Sequence, residues 1–251
     1  MQQSPGTCPI IILLSGTPGS GKTSVAKYLT KNQGWLLFSL GEFILANNLF
    51  ISEKDDETTK TVDPESTGRL AAQEILQNYL NCRFLIIDSH YADIIFEGLT
   101  HVEQEHHREC VQDYLQGNNI WGVILRCHPA ILEKRLVGRN YPSSKVEENL
   151  QAEILSESTS NMLDVLPSKL ILEIDTSLVS IEQICHSILS FFLSSTKKND
   201  EIIKRVGEID WIKSLNEDGS LDEYFKHDFG EKFTITPEEW EENQDRRNYK
   251  N

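Results

Sequence analysis

The chain has 251 residues and a formal net charge of −15, with 24 Lys and Arg against 39 Asp and Glu. So acidic a chain repels a phosphate backbone, which argues against direct nucleic-acid binding and leaves a basic protein as the easier macromolecular partner. Pro9 to Leu14, the longest useful apolar run, is far short of the roughly 18 residues that span a bilayer. The opening residues lack a basic leader and the five cysteines follow no paired spacing, so a reduced, cytoplasmic protein is expected.

Pro9 to Leu14 is rich in β-branched residues and runs into a glycine-rich turn, Gly16 to Gly21, which predicts a buried strand and a loop. From Thr23 the residues Val25, Ala26 and Leu29 recur at helical spacing until Asn32 and Gly34 stop them. Trp35 to Ser39 reads as a second strand, Gly41 to Asn47 as a short helix, and the polar run Glu53 to Lys60 as a surface loop. Asp63 and Pro64 open the next helix, with Leu70, Ala71, Ile75 and Tyr79 as its buried stripe. Phe84 to Ile87 is a third strand, and the acidic, histidine-rich region from Tyr91 to Gly117 is read only as partly helical.

Trp121 to Leu125 predicts a fourth strand, then a helix from Pro129 with Ile131, Leu132 and Leu136 inward. Ser144 and Glu147 form the pattern of a capping box opening one long helix toward Leu166. Lys169 to Ile174 is a fifth strand and Ile181 to Leu193 a closing helix. Apolar strands alternating with helices predict an α/β fold, a five-stranded parallel sheet with helices on both faces. That domain is expected to span residues 1–195. An acidic C-terminal extension, 196–251, follows and is expected to be partly disordered.

The sharpest chemical signal is GTPGSGKT, Gly16 to Thr23, which fits G-x-x-x-x-G-K-[ST] between a strand and a helix. In that setting the backbone at Gly16, Gly19, Ser20, Gly21 and Ser24 wraps an anion, and the helix N-terminus faces the α- and β-phosphates. Lys22 reaches the β- and γ-phosphates and the Thr23 hydroxyl is a Mg²⁺ ligand. Asp88, at the end of the third strand, is the second metal-side candidate, with a helix N-cap as its alternative. His90 stands two residues on, where a lone histidine is as readily a packing or surface residue. Arg135 and Arg139, four residues apart on one helical face, are candidates for neutralising charge on a transferring phosphate. Their alternative is a solvated helix face. His106, His107 and Cys110 have no second ligand pair at matching distance, so no structural zinc is expected.

Together these residues resemble the adenylate kinase isoenzyme 6 family, P-loop nucleoside monophosphate kinases that also act in small-subunit ribosome assembly. The resemblance runs from about Ile10 to Thr176. It rests on GTPGSGKTS, on IIDSHY from Ile86 to Tyr91, on HPAILEKRLVGRNY from His128 to Tyr141, and on ENLQAEI from Glu148 to Ile154. EIDTS (Glu173 to Ser177) and RVGEIDWI (Arg205 to Ile212) are similar to segments of the archaeal branch. Leu45 stands where many members carry an arginine for the acceptor phosphate, and Asn140 where the lid usually has glycine.

The resemblance implies Mg²⁺-dependent transfer of the ATP γ-phosphate to a nucleoside monophosphate, AMP in the first instance, accompanied by ATP hydrolysis and linked to small ribosomal subunit maturation. It implies catalytic roles for Lys22, Asp88, His90, Arg135 and Arg139, with an acceptor-side segment at 39–62 and a lid at 138–148. The same motifs leave open an ATPase assembly switch that binds a small-subunit ribosomal protein, and a kinase for a small metabolite. A nuclear location goes with the resemblance if the source is eukaryotic.

Overall fold

A computed structural model describes residues 9–50, 62–79, 82–89, 92–100, 119–193 and 201–225. The expectations for His90, the Glu53 to Lys60 loop, most of Tyr91 to Gly117, His106, His107 and Cys110, and the end of the acidic extension fall outside them. Two compact units are distinguished, residues 1–211 and 212–251.

The first unit is built on a sheet of order β2-β3-β1-β4-β5-β6. Its strands are β1 (Ile10–Ser15), β2 (Leu36–Ser39), β3 (Phe84–Asp88), β4 (Ile120–Arg126), β5 (Ile171–Asp175) and β6 (Ile203–Lys204). The first five run parallel, as expected from their unbroken apolar stretches. The sixth pairs antiparallel with β5, Glu173 against Lys204 and Ile174 against Ile203. It lies beyond the boundary expected near residue 195, because two residues flanked by charge carry no strand periodicity of their own.

Alternation along the strands divides the core in two. Ile11, Leu13, Leu85, Ile87 and Ile124 face one side with α3 (Pro64–Asn78) and α4 (Ala92–Thr100). Ile12, Leu14, Phe84, Ile86, Val123 and Leu125 face the other with α1 (Lys22–Gln33) and the later helix α8 (Ile181–Leu193). Between β2 and α3 lies α2 (Leu40–Ala46), capped by Ser39, whose hydroxyl accepts from the Glu42 amide. The buried face of α3 is Thr67, Gly68, Ala71, Ala72, Ile75 and Leu76, so Leu70, read as inward, is exposed instead.

After β4 come α5 (Pro129–Val137), α6 (Ser143–Ile154) and α7 (Glu157–Val165). The long helix expected from Ser144 to Leu166 is thus two helices, broken at Ser156, whose φ of +58° is left-handed. The expected capping box does not form: Pro142 takes the cap position and Ser144 lies inside the first turn. The second unit is described to residue 225; α9 (Trp211–Asp218) and a 3₁₀ turn (Leu221–Tyr224) complete the chain's described elements. No helix among the described residues is long and apolar enough to cross a membrane.

Candidate functional site: a phosphate cradle and its metal-side carboxylate

The parallel register brings the site together. β1 ends at Ser15, and Asp88 at the end of β3 lies level with Leu14 on one side and Ser39 on the other. The loop from Gly16 to Gly21 then turns back over these strand ends into α1. Gly16 packs so tightly against β4 that a Cβ would sit 2.3 Å from the Leu125 carbonyl oxygen. Gly21 precedes α1 with a φ of +107°, a conformation strained for any side chain, and no side chain caps the helix. The first-turn amides therefore present donors and the positive end of the helix dipole to the space above.

That space is a cleft of about 450 Å³. The loop and α1 line it with Pro18, Gly19, Gly21, Lys22, Thr23 and Ser24; Asp88 and Ser89 form its floor. Ser39, Leu40, Gly41 and Ile44 line it from β2 and α2, and Arg139 and Tyr141 from the segment after α5. Lys22 is buried and its ammonium donates to the carbonyls of Gly16 and Thr17, the latter at 3.2 Å. Burial lowers its pKa to about 8, against the opposing pull of Asp88 and Glu153 and with a further lowering from Arg139. Asp88 is also buried, and its carboxyl is pushed above the usual range by desolvation, opposed by Lys22 and by the Thr23 hydrogen bond. The Thr23 hydroxyl donates to Asp88 Oδ2 at 3.1 Å.

The two arginines read as a pair do different things. Arg139 is exposed and borders the cleft. Arg135 is turned to the backbone: Nη1 donates to the Gly19 carbonyl at 3.3 Å and Nη2 to the Thr176 carbonyl at 2.7 Å. It therefore ties the phosphate loop to the turn after β5. Ser20 also faces inward. Its hydroxyl is buried without a hydrogen-bond partner among the described residues, and its amide donates to the Thr17 carbonyl at 3.1 Å.

Behind the loop stands a charged network that motif reading missed. Arg126, at the end of β4, reaches Glu153 on α6 and Glu173 on β5 at 2.8 Å each, and all three are buried. Glu153 also accepts from the Thr17 hydroxyl through Oε2 and from the Trp211 indole at 2.9 Å through Oε1. Glu173 accepts from the Gly207 amide at 3.1 Å. A signal was present: Arg126 ends the otherwise apolar strand IWGVILR, and Glu173 lies in the middle of ILEID, whose other charge, Asp175, is at the strand end. A buried charge in a strand needs a partner.

Known proteins resemble this chain. The family model described as an AAA domain matches residues 12–156. A protein of Thermococcus onnurineus named "Putative adenylate kinase" is 28% identical over 207 residues, covering 82% of this chain and 94% of its own. An Archaeoglobus fulgidus protein of the same name is 29% identical over 208 residues, covering 83% and 95%. Among solved structures, shikimate kinase from Acinetobacter baumannii superposes with a TM-score of 0.49 at 18% identity, over 76% of this chain and 96% of that one.

Proposed function

Because the chain belongs to the AAA-domain family, we propose that it binds ATP in the loop-and-helix cradle and transfers the γ-phosphate to a nucleoside monophosphate. One observation carries this reading: the Lys22 ammonium, the uncapped first turn of α1 and the Thr23–Asp88 pair converge on one cleft. The name of the archaeal relatives supports AMP as acceptor.

The donors at this site suit magnesium. Among the described residues there is no cluster of three His, Cys, Asp or Glu that could cage a metal. A hydroxyl and a carboxylate side by side beneath a phosphate loop are the hard-oxygen pair that Mg²⁺ takes when phosphate and water complete its shell. Thr23 and Asp88 would hold the ion, which when bound neutralises charge on the β- and γ-phosphates. His90 lies outside the described residues, and the metal-side role proposed for it rests on the sequence resemblance.

In the transfer, a phosphate oxygen of the monophosphate attacks the γ-phosphorus, the bond to the β–γ bridging oxygen breaks, and ADP leaves. The attacking group is already anionic, so alignment and charge neutralisation replace a general base. Lys22 and Arg139 both line the cleft and supply positive charge to it, while Arg135 holds the cradle in place through Gly19 and Thr176. The acceptor enters over Ser39 and Ile44, with 138–148 as the lid.

A second reading has its own support. Leu45 is 61% exposed on the acceptor side, so the position given to an arginine by the resemblance offers a phosphate no charge. With the net charge of −15, this favours an ATPase assembly switch that acts on a basic small-subunit ribosomal protein. Purified full-length protein with ATP and Mg²⁺, each monophosphate in turn, and then the ribosomal protein, separates the two. ADP gained from AMP without free phosphate supports the kinase; phosphate release accelerated only by the protein partner supports the switch. If Lys22→Ala hydrolyses and transfers as wild type does, both readings fail. Leu45→Arg should raise transfer to AMP a few-fold over hydrolysis, about one charge-assisted hydrogen bond's worth.

A further inference from the structure

The segment from Ile203 to Trp211 follows the last helix of the kinase-like core, and none of the roles above uses it. Its contacts nevertheless lead, through Glu153, to the loop that would hold the nucleotide. Trp211 is buried, and a buried indole N–H needs an acceptor. It finds Glu153 Oε1 at 2.9 Å, an oxygen that also accepts from Arg126 Nε at 2.8 Å and from the Cys127 amide at 3.1 Å. Three donors, two from the adjacent residues Arg126 and Cys127 and one from Trp211, hold this oxygen in place, and the other oxygen accepts from the Thr17 hydroxyl.

Thr17 is where this chain of contacts enters the phosphate loop. Its carbonyl accepts from the Ser20 amide at 3.1 Å and from the Lys22 ammonium at 3.2 Å. The side chain of Thr17 is turned into the interior, away from the cleft, which it does not line. The loop's shape and the resting place of its lysine are thus referred, through two buried side chains, to an indole 194 residues further along the chain than Thr17. The Gly207 amide, donating to Glu173 at 3.1 Å, fastens the same segment to the other carboxylate of the network.

We propose that Trp211 is a positioning residue for the phosphate loop, acting through Glu153 on the Thr17 hydroxyl, so that segment 203–211 is a working part of the nucleotide site. The proposal rests on the nucleotide occupying that loop. A packing role alone would need only the ring of Trp211. A positioning role needs its N–H, because Phe fills most of the same space and leaves Glu153 one donor short.

The test is the affinity of the full chain for MgADP, measured by calorimetry beside the melting temperature. Trp211→Phe should bind about three- to tenfold more weakly, the fold-change of one ordinary hydrogen bond, because the lost bond acts on the loop only through Glu153. Thr17→Val should weaken binding by at least as much, and Thr17→Ser should restore it to within about twofold. The double variant Trp211→Phe/Thr17→Val should be little weaker than Thr17→Val alone, because both act through one carboxylate. Trp211→Phe binding as wild type, or losses that simply multiply, would overturn the proposal.

If Trp211→Phe does not fold, the indole ¹⁵N–H resonance of Trp211 takes its place. It should move when MgADP is added to wild type, and it should differ between Thr17→Val and Thr17→Ser. A resonance indifferent to both overturns the proposal. Wild type that binds no MgADP removes the nucleotide reading itself, a separate result from wild type binding and Trp211→Phe matching it.

Discussion

The two sides of the phosphate loop handle charge in opposite ways. Behind it, Arg126, Glu153 and Glu173 are fully buried, and their polar atoms are taken up by one another and by Thr17, Thr159, Cys127, Gly207 and Trp211. In front of it, Lys22 and Asp88 are nearly as buried but share no direct ion pair among the described contacts, and burial shifts both pKa values toward the neutral form. Charges met by opposite charge hold a structure; buried charges met only by neutral groups store free energy that a ligand of matching charge releases. The contrast supports the proposed reading of the front as the working face and the back as its support.

Removing charge should therefore have opposite effects on the two sides. The largest expected effect is on the front: Lys22→Met should lower ATP-dependent turnover by on the order of 10³, as loss of a phosphate-binding cation does. The same variant should raise the melting temperature of the ligand-free protein, because it replaces a desolvated ammonium by an apolar chain of similar length. A lower melting temperature would show that Lys22 is satisfied after all and would erase the contrast.

Next comes the back. Arg126→Met leaves Glu153 and Glu173 buried without their cation, and urea denaturation should register a loss of about 3–5 kcal/mol. If the loss is below about 1 kcal/mol, the network is not what holds this region.

A smaller effect comes from pH. Burial lowers the pKa of Lys22 to about 8 in the folded chain from the ordinary lysine value of 10.5 in the unfolded one. Between those values the unfolded chain binds more protons, so the lysine's contribution makes folding stability rise with pH across that window, and Lys22→Met should lack the rise. ATP affinity should run the other way, falling by up to about tenfold per pH unit above 8 as the free protein loses the ammonium. An affinity flat from pH 7 to 9.5 would mean that Lys22 does not meet the phosphates.

The smallest effect belongs to neither side. Arg69 and Glu65 form an exposed pair at 2.5 Å on α3, with more than half of each side chain in solvent. Arg69→Ala should change stability by about 0.5 kcal/mol or less. A larger value would mean that surface charge matters in this acidic chain and that the comparison of buried groups is incomplete.

Much of the front was legible in sequence because its parts are local. Gly16 to Thr23 are consecutive, and a strand followed by glycines and a helix has few ways to fold. Asp88 was legible for a related reason, since it ends an apolar strand. Arg135 and Arg139 show the limit of such reading. Helical spacing put them on one face, but the tilt of α5 over the loop turned Arg135 to Gly19 and Thr176 and left Arg139 at the cleft. The break at Ser156 was hidden as well, because a serine in the left-handed region carries no compositional mark.

By itself, then, the sequence determined the alternation of strands and helices, the cradle and the acidic surface, all of which follow from neighbours within a few residues. Tertiary structure decided the rest: that β6 joins the sheet, that Arg126 pairs with carboxylates 27 and 47 residues away, and that Thr17 meets Glu153 across 136 residues. The reason is physical. Periodicity reports which face of an element is buried, but a buried charge finds its partner only after several strands have closed into one sheet, and the sequence holds no local trace of that distance.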